Sequence, residues 1–210
     1  MDFSGAKTDA GRWSMLLTKG DEQLPLGRRL RERRQELGMT LKDVADRAGL
    51  SLGFISQVER DLTAPSLSSL VSICKILKTD VGTYLQQPSL ENSYSRTGLR
   101  QPFSLSREER PIRYERISAN FPGRKIRSVI MNISPGYRSE VISHDGEEMM
   151  FVLSGEVSTS VDGNHVILHE GDSIHFPSTS PHQVWNSSQH TSVALWVGTQ
   201  DLFGEDGKEK

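Results

Sequence analysis

Three side chains in the C-terminal half of this 210-residue sequence are of types that do chemistry together: His144, Glu148 and His182. Two imidazoles and a carboxylate form a facial donor set that suits iron, manganese, zinc or nickel. Alternation along the chain gives each a face that one cavity could share. Ile142 accompanies His144, Met150 and Val152 accompany Glu148, and Val184 and Asn186 accompany His182. Arg127, Tyr137, Met150 and Trp185 are candidates for the wall or rim of that cavity, with ordinary packing as the alternative for each. Glu147 falls on the face opposite Glu148, and His175, between Ile174 and Phe176, is expected outside. His165 and His190 stand at strand starts and carry no assigned role.

A second constellation lies in residues 40–60, TLKDVADRAGLSLGFISQVER. Leu41, Val44, Ala45 and Ala48 repeat at helical spacing and make one apolar stripe. Thr40 with Asp43 forms an approximate capping box, Met39 and Val44 a hydrophobic staple, and Gly49 a C-terminal stop. Ser51 then starts a second helix at once, with Leu50 and Ile55 at staple spacing. Two capped helices so close in sequence must cross steeply, which is helix-turn-helix geometry. With Ile55 and Val58 inward, Leu52, Gly53, Ser56 and Gln57 face solvent or a partner. A small helical protein-interaction module is the competing reading of the same signals.

These two centres need scaffolds of different kinds. Around residues 40–60 the pattern predicts a first helix from Pro25 through Leu26, Leu30 and Leu37 to Gly38, a fourth from about Ser66 to Leu77, and a short fifth over Val81–Leu85. Residues 1–23 read as a polar, mobile tail, with Trp13, Met15, Leu16 and Leu17 an apolar exception able to dock on a neighbour. Residues 86–111 read as a linker, rich in Pro, Ser, Asn and Gly. Beyond it, short strands are predicted over 126–133, 148–153, 156–161, 165–168, 173–176, 182–185 and 191–197. Their punctuation at Ser134-Pro135-Gly136, Ser154-Gly155, Asp162-Gly163-Asn164 and Glu170-Gly171-Asp172 indicates an all-β sandwich or barrel. The fold class is thus multidomain α + β: helical domain 24–85, linker 86–111, β domain 112–200, acidic tail 201–210.

Composition narrows the function classes. No apolar run is long enough to cross a bilayer, and residues 1–23 lack the basic-then-apolar order of a secretory signal, so the expected compartment is the cytoplasm. The single cysteine, Cys74, excludes an intrachain disulfide and lies in a helical stripe with Leu70, Ile73 and Leu77. The net charge of −2 is unevenly spread: residues 24–85 hold ten Lys+Arg against seven Asp+Glu, a net of +3, which leaves −5 elsewhere. Phosphate affinity follows local charge, so this asymmetry suits a DNA-binding module beside an acidic partner domain. Arg28, Arg29, Arg31, Arg33 and Arg34 form the densest basic run, either a solvated helix face or a phosphate contact.

The region 24–85 resembles the phage-repressor-type, xenobiotic-response-element helix-turn-helix domains, including Ala64-Pro65-Ser66-Leu67-Ser68-Ser69-Leu70 at the start of helix four. That resemblance implies a recognition helix capped by Ser51, with Thr40, Ser51, Leu52, Gly53, Ser56, Gln57 and Arg60 as the DNA-facing set, and Arg34 paired with Glu59. Gln57 is the expected base reader, since a glutamine pairs bidentately with adenine for about 1–3 kcal/mol of discrimination. In the second half Gly136, Ile142, His144, Glu148 and Gly155, then Gly171, Pro177, Thr179, His182 and Asn186, resemble the two motifs of the cupins. A cupin is a double-stranded β-helix or jelly-roll barrel. Ile142 replaces the first histidine ligand of that pattern and Thr179 a turn glycine. No cofactor is fixed by this; a divalent transition metal on His144, Glu148 and His182 is the candidate, and a small effector bound by His144, Glu148, Met150, His182, Tyr137 and Trp185 is the other occupant. Together the two resemblances imply a non-enzymatic, homodimeric DNA-binding regulator, most often a repressor, reading an inverted repeat and responding to a small metabolite. A metal-dependent cupin enzyme carrying a DNA-binding domain, and a cupin used only for dimerisation, are the alternatives.

Overall fold

The computed structural model describes residues 25–85, 92–105 and 112–203. The tail with Trp13, Met15, Leu16 and Leu17, both ends of the expected linker and residues 204–210 lie outside them. The described N-terminal region holds four α-helices: α1 Leu26–Glu36, α2 Leu41–Ala48, α3 Leu52–Glu59 and α4 Leu67–Ile76. The expected fifth helix is instead a single 3₁₀ turn, Val81–Thr83. Five residues cannot repay the cost of nucleating an α-helix. Gly82 also backs onto the Phe203 carbonyl, where an added Cβ would come within 2.9 Å.

The local signals of residues 40–60 are realised atom by atom. The Thr40 hydroxyl accepts from the Asp43 N–H while the Asp43 carboxylate accepts from the Thr40 N–H, so both halves of the capping box form. Gly49 closes α2 at φ 66°, a left-handed conformation that costs glycine nothing. The Ser51 and Ser66 hydroxyls cap α3 and α4. Leu30, Val44, Ala45, Ile55, Val58 and Leu70 then meet in the core.

Most of the basic run on α1 serves this packing. The Arg34 guanidinium grips the Glu59 carboxylate at both ends, Nε to Oε1 at 2.6 Å and Nη2 to Oε2 at 2.8 Å, and its Nη1 donates to the Met39 carbonyl. Arg33 donates to the Leu77 and Lys78 carbonyls at the end of α4, and Arg29 donates to the Thr83 carbonyl while stacking on Tyr84. Arg28 pairs with Glu32 one turn on. Arg31 alone of the five is exposed with no such partner among the described residues. The basic run is therefore chiefly a structural clamp rather than a free phosphate-facing stripe.

Residues 112–203 form eight strands in two sheets: β1 Ile112–Arg116, β2 Arg127–Ile133, β3 Glu147–Ser154, β4 Glu156–Val161, β5 Asn164–His169, β6 Ser173–Pro177, β7 His182–Trp185 and β8 Ser192–Gly198. The first sheet runs β1-β2-β8-β3-β6 and the second β5-β4-β7, antiparallel throughout. β1 is an addition to the expected strands; it pairs with β2 and, through Phe103, with the expected linker, whose backbone exchanges two hydrogen bonds with Tyr114. Among the described residues the sheets face one another without closing into the expected barrel. Beside β7, where a further strand would continue the second sheet, residues 137–142 pair irregularly. Arg138 bridges Trp185, but Ile142 bridges His182, so the register slips by one residue between them. Such a bulge bends the strand and re-aims a side chain. Here the re-aimed side chain is Glu140, and it turns towards α4.

The two halves share one continuous apolar core that includes Leu67 and Leu70 of α4, Tyr114 of β1 and the C-terminal Leu202 and Phe203. The Tyr114 hydroxyl accepts from the Leu67 N–H, and Glu140 Oε2 accepts from the Ser66 N–H and the Ser69 hydroxyl.

The Arg34–Glu59 pair gives a direct test. Both side chains are about nine-tenths buried, so Glu59→Ala strands a buried guanidinium and is expected to cost about 3–5 kcal/mol. The double variant Arg34→Met/Glu59→Leu should lose much less. Urea unfolding of all three chains checks both values, and equal stability of Glu59→Ala and wild type would contradict the clamp.

Candidate functional site

Two regions concentrate exposed or unsatisfied chemistry, the outer face of α3 and the space between the sheets. On α3, Ile55, Val58 and Glu59 are buried, which fixes the rotation of the helix about its axis. That rotation presents Leu52, half exposed, with Gly53, Gln57 and Arg60 to solvent, while Ser56 is half-buried. The Gln57 side chain meets no partner among the described residues, although its carbonyl accepts from the Arg60 and Leu62 N–H groups. Gly53 has open space at its Cβ position, so nothing around it obstructs an approaching surface. Thr40 and Ser51 are spent as helix caps, and Arg60 donates to the Ser56 carbonyl. Of the seven expected DNA-facing residues, Gln57 is the one with an uncommitted donor and acceptor in the middle of the exposed face.

Between the sheets, His144, Glu148 and His182 come together with their ligand atoms within 4.8 Å of one another. Each is about nine-tenths buried. β3 supplies Glu148 on its inward face beside Met150 and Val152, as the alternation requires, and Glu147 points out to His175. The backbone bridge between Ile142 and His182 fixes the other two: it ties the segment carrying His144 to the start of β7.

Hydrogen bonding sets the tautomers. His144 Nδ1 lies 3.0 Å from the Asp145 carbonyl and His182 Nδ1 lies 2.9 Å from the Ser180 carbonyl. A carbonyl only accepts, so each Nδ1 carries a proton, and in the neutral rings both Nε2 atoms present lone pairs. Those lone pairs converge on Glu148 Oε1, at 3.5 Å from His144 and 3.1 Å from His182. Burial holds the His144 pKa below the ordinary histidine range, against the opposing pull of the Asp145 carbonyl, so this ring is neutral at pH 7. Its Nε2 and Glu148 Oε1 are both buried without a hydrogen-bond partner. Acceptors that converge with no donor between them fit a cation. The other oxygen, Glu148 Oε2, takes a 2.5 Å hydrogen bond from the Trp196 indole. Gly198, across from Glu148, leaves the room that indole needs, since a Cβ there would fall 2.5 Å from the ring.

A cavity of about 70 Å³ adjoins this cluster. Tyr137, Ile142, Glu148, Met150 and His182 line it as the sequence leads one to expect, and Phe176 and Trp196 join them. Ile142, in place of the fourth donor, leaves an apolar wall. His144 lies at the edge and lines instead a groove of about 500 Å³ between the two halves of the chain. Trp185 is not part of the cavity wall; it stacks under Arg138 and against His165. Arg127 is also elsewhere, fully buried near Asp201. Trp196 was legible only as the inward partner of Ala194 on β8. The lining by Ser66, Leu67 and Ser68 of the helical half had no signal in either motif.

The comparisons with known proteins agree with this division. Residues 30–83 match the model of the helix-turn-helix family and residues 129–198 that of the cupin domain. The HTH-type transcriptional regulator PuuR of Escherichia coli (strain K12) is 27% identical over 184 residues, covering 87% of this chain and 99% of that protein. The HTH-type transcriptional regulator SutR of the same organism is 23% identical over 165 residues, covering 77% of this chain and 87% of its own. A crystal structure of an HTH_3 family transcriptional regulator from Vibrio cholerae aligns over 83% of this chain and 94% of that one, with a TM-score of 0.53 and 17% identity, and shares the fold.

If the cluster holds an ion, the support of Glu148 by Trp196 is measurable. Trp196→Phe is expected to weaken Co²⁺ binding about 10–100-fold, the usual cost of removing an outer partner of a metal ligand. His144→Ala should remove stoichiometric binding altogether, and His175→Ala, at an exposed site, should leave it unchanged. Equilibrium titration of the full chain with Co²⁺ separates these outcomes.

Proposed function

We propose that this chain, in which a helix-turn-helix domain precedes a cupin domain, is a DNA-binding transcriptional regulator that acts as a repressor and answers to a small molecule held in the cupin. The DNA-binding domain spans residues 24–85, the sensing and dimerising domain 112–200, and residues 86–111 join them. The observation that carries the reading is the outer face of α3: an exposed, uncommitted Gln57 beside Leu52 and Gly53, on a helix anchored from behind by Arg34 and Glu59.

A homodimer places two such helices about 34–36 Å apart, so that each enters the major groove at one half of an inverted repeat. Gln57 then reads an adenine, and Leu52 gives apolar contact to a thymine methyl. Of the exposed cations on α1–α3, Arg28 and Lys42 pair with Glu32 and Asp46, which leaves Arg31 and Arg47, with Arg60 just past α3, for phosphates. Operator choice rests largely on half-site spacing and DNA shape, because one glutamine carries little sequence information.

In the cupin domain, His144, Glu148 and His182 would hold a divalent transition metal, which would supply a Lewis-acidic anchor with open positions for an effector. The chain's own residues do the rest: Trp196 orients the carboxylate, the Asp145 and Ser180 carbonyls orient the rings, and Ile142 keeps the remaining wall apolar. The relatives named as transcriptional regulators support a regulatory rather than catalytic use of the domain.

Gln57→Ala is expected to weaken binding to a duplex selected from a random library about 10–100-fold, the equivalent of one lost bidentate base contact. Its binding to unselected duplex should not change, because phosphate contacts remain. Gel-shift titrations at one fixed salt concentration make the comparison, and an unaltered affinity for the selected duplex would sink the assignment.

A further inference from the structure

The cupin cavity is not built by the cupin alone. Its wall includes Ser66, Leu67 and Ser68, the capping residue and first turn of α4 in the DNA-binding domain. Leu67 is only 3% exposed and shares the cavity wall with Glu148 and His182 of the cupin. The first turn is held down by two cupin side chains. The fully buried Tyr114 hydroxyl accepts from the Leu67 N–H at 3.2 Å, and Glu140, aimed by the bulge beside β7, accepts from the Ser66 N–H and the Ser69 hydroxyl. Below this turn the contact thins out: a groove of about 500 Å³ separates α2 and α4 from the His144–Asp145 and Thr199–Asp201 segments, crossed by the exposed Lys75–Asp145 pair.

We propose that the first turn of α4 is the roof of the effector site, latched by Tyr114 and Glu140, and that an occupant of the cavity acts on the DNA-binding domain by lifting it. This rests on the reading of the chain as an effector-responsive DNA-binding regulator. About 70 Å³ admits a few water molecules and no more than a few heavier atoms of a ligand. A metabolite of ordinary size enters only if a wall yields. The strands of each sheet are joined by continuous backbone ladders, whereas the first turn of α4 is held by three side-chain hydrogen bonds and the apolar packing of Leu67 and Leu70, with the groove beside it. The occupant that fits is a small molecule with an apolar body, for Leu67, Met150 and Phe176, and one polar end that meets the unpartnered Glu148 Oε1 beside His182. Once lifted, α4 carries the helices packed on it, because α2 contacts α4 and α3 contacts α2. By linkage, a ligand that binds only the lifted state shifts the DNA-binding domain by that preference.

The test needs neither the natural effector nor a metal. In the full chain, Thr159→Cys places a thiol on the cavity wall, and Val129→Cys is the substitute should that variant not fold. The native Cys74, whose thiol pKa burial pushes up to about 12, lies on α4 itself, so all variants are made in a Cys74→Ala background. Labelling with 5,5′-dithiobis(2-nitrobenzoate) is expected to be slow, and at least tenfold faster when Tyr114→Phe and Glu140→Gln are added. The attached aromatic group then acts as the occupant: amide exchange at Leu67 and Ser69 should speed up at least tenfold, with α3 amides less affected. Equal labelling rates with and without the latches, or a labelled chain whose Leu67 amide stays protected, would overturn the roof. If exchange responds as expected while the unlabelled chain binds no duplex DNA, the roof stands and the regulatory reading falls.

Discussion

A helix leaves the N–H groups of its first turn without partners, and the structure depends on how those groups are answered. In α2 and α3 the answers are local, from Thr40 with Asp43 and from Ser51, and these two helices pack against each other. In α4 the answer is shared: Ser66 caps the Ser69 N–H, but the Ser66 and Leu67 N–H groups are met by Glu140 and Tyr114 of the β half. The domain that meets DNA is thus completed by the domain that holds the cavity. The register slip beside β7 exists at the place where Glu140 must turn out of the sheet, so a defect in one domain is the fitting for the other.

Charge follows the same economy. The sequence concentrates arginine on α1, and a count of charges leaves open whether that run is a solvated face or a phosphate contact. The structure spends Arg29, Arg33 and Arg34 on carbonyls and on Glu59, where each satisfies a helix end or a buried carboxylate. A guanidinium has five donors in a fixed fork and suits such corners better than lysine. Net positive charge still sets the sign of the surface field, since a paired arginine on an exposed face keeps part of its potential. It no longer supplies five mobile phosphate ligands.

Much of the fold was legible because its signals are local. Caps, glycine stops and helical stripes gave α1 to α4 nearly to the residue, and alternation gave the inward faces of β3 and β7 with Glu148 and His182 on them. What was not legible depends on sequence-distant geometry. The fifth helix failed because Gly82 backs onto Phe203, far along the chain. β1 was hidden because its buried face of Ile112 and Tyr114 is continued by a charge, Arg116, packed against Phe203, where the alternation calls for an apolar residue. Trp185 and Trp196 are both large, inward candidates by type, and only the room left by Gly198 decides that Trp196 reaches Glu148. The roof over the cavity belongs to no single motif, since it is made where the two resemblances meet.

The arrangement of the histidines carries its own physical argument about what the cluster is for. Backbone pairing of Ile142 with His182, and of the Nδ1 atoms with two carbonyls, orients both imidazoles independently of any ion. The result leaves His144 Nε2 and Glu148 Oε1 buried and unsatisfied beside His182 Nε2, an arrangement that costs free energy as it stands. Were the cluster merely structural, a tautomer with Nε2–H on either ring would relieve it, at the expense of a broken Nδ1 bond. The main chain blocks that route at both histidines, which leaves a proton on an Nε2 atom, a cation or a ligand carrying donors to relieve it. The cavity beside this mismatch is walled in part by Leu67, where the helical half meets the β half.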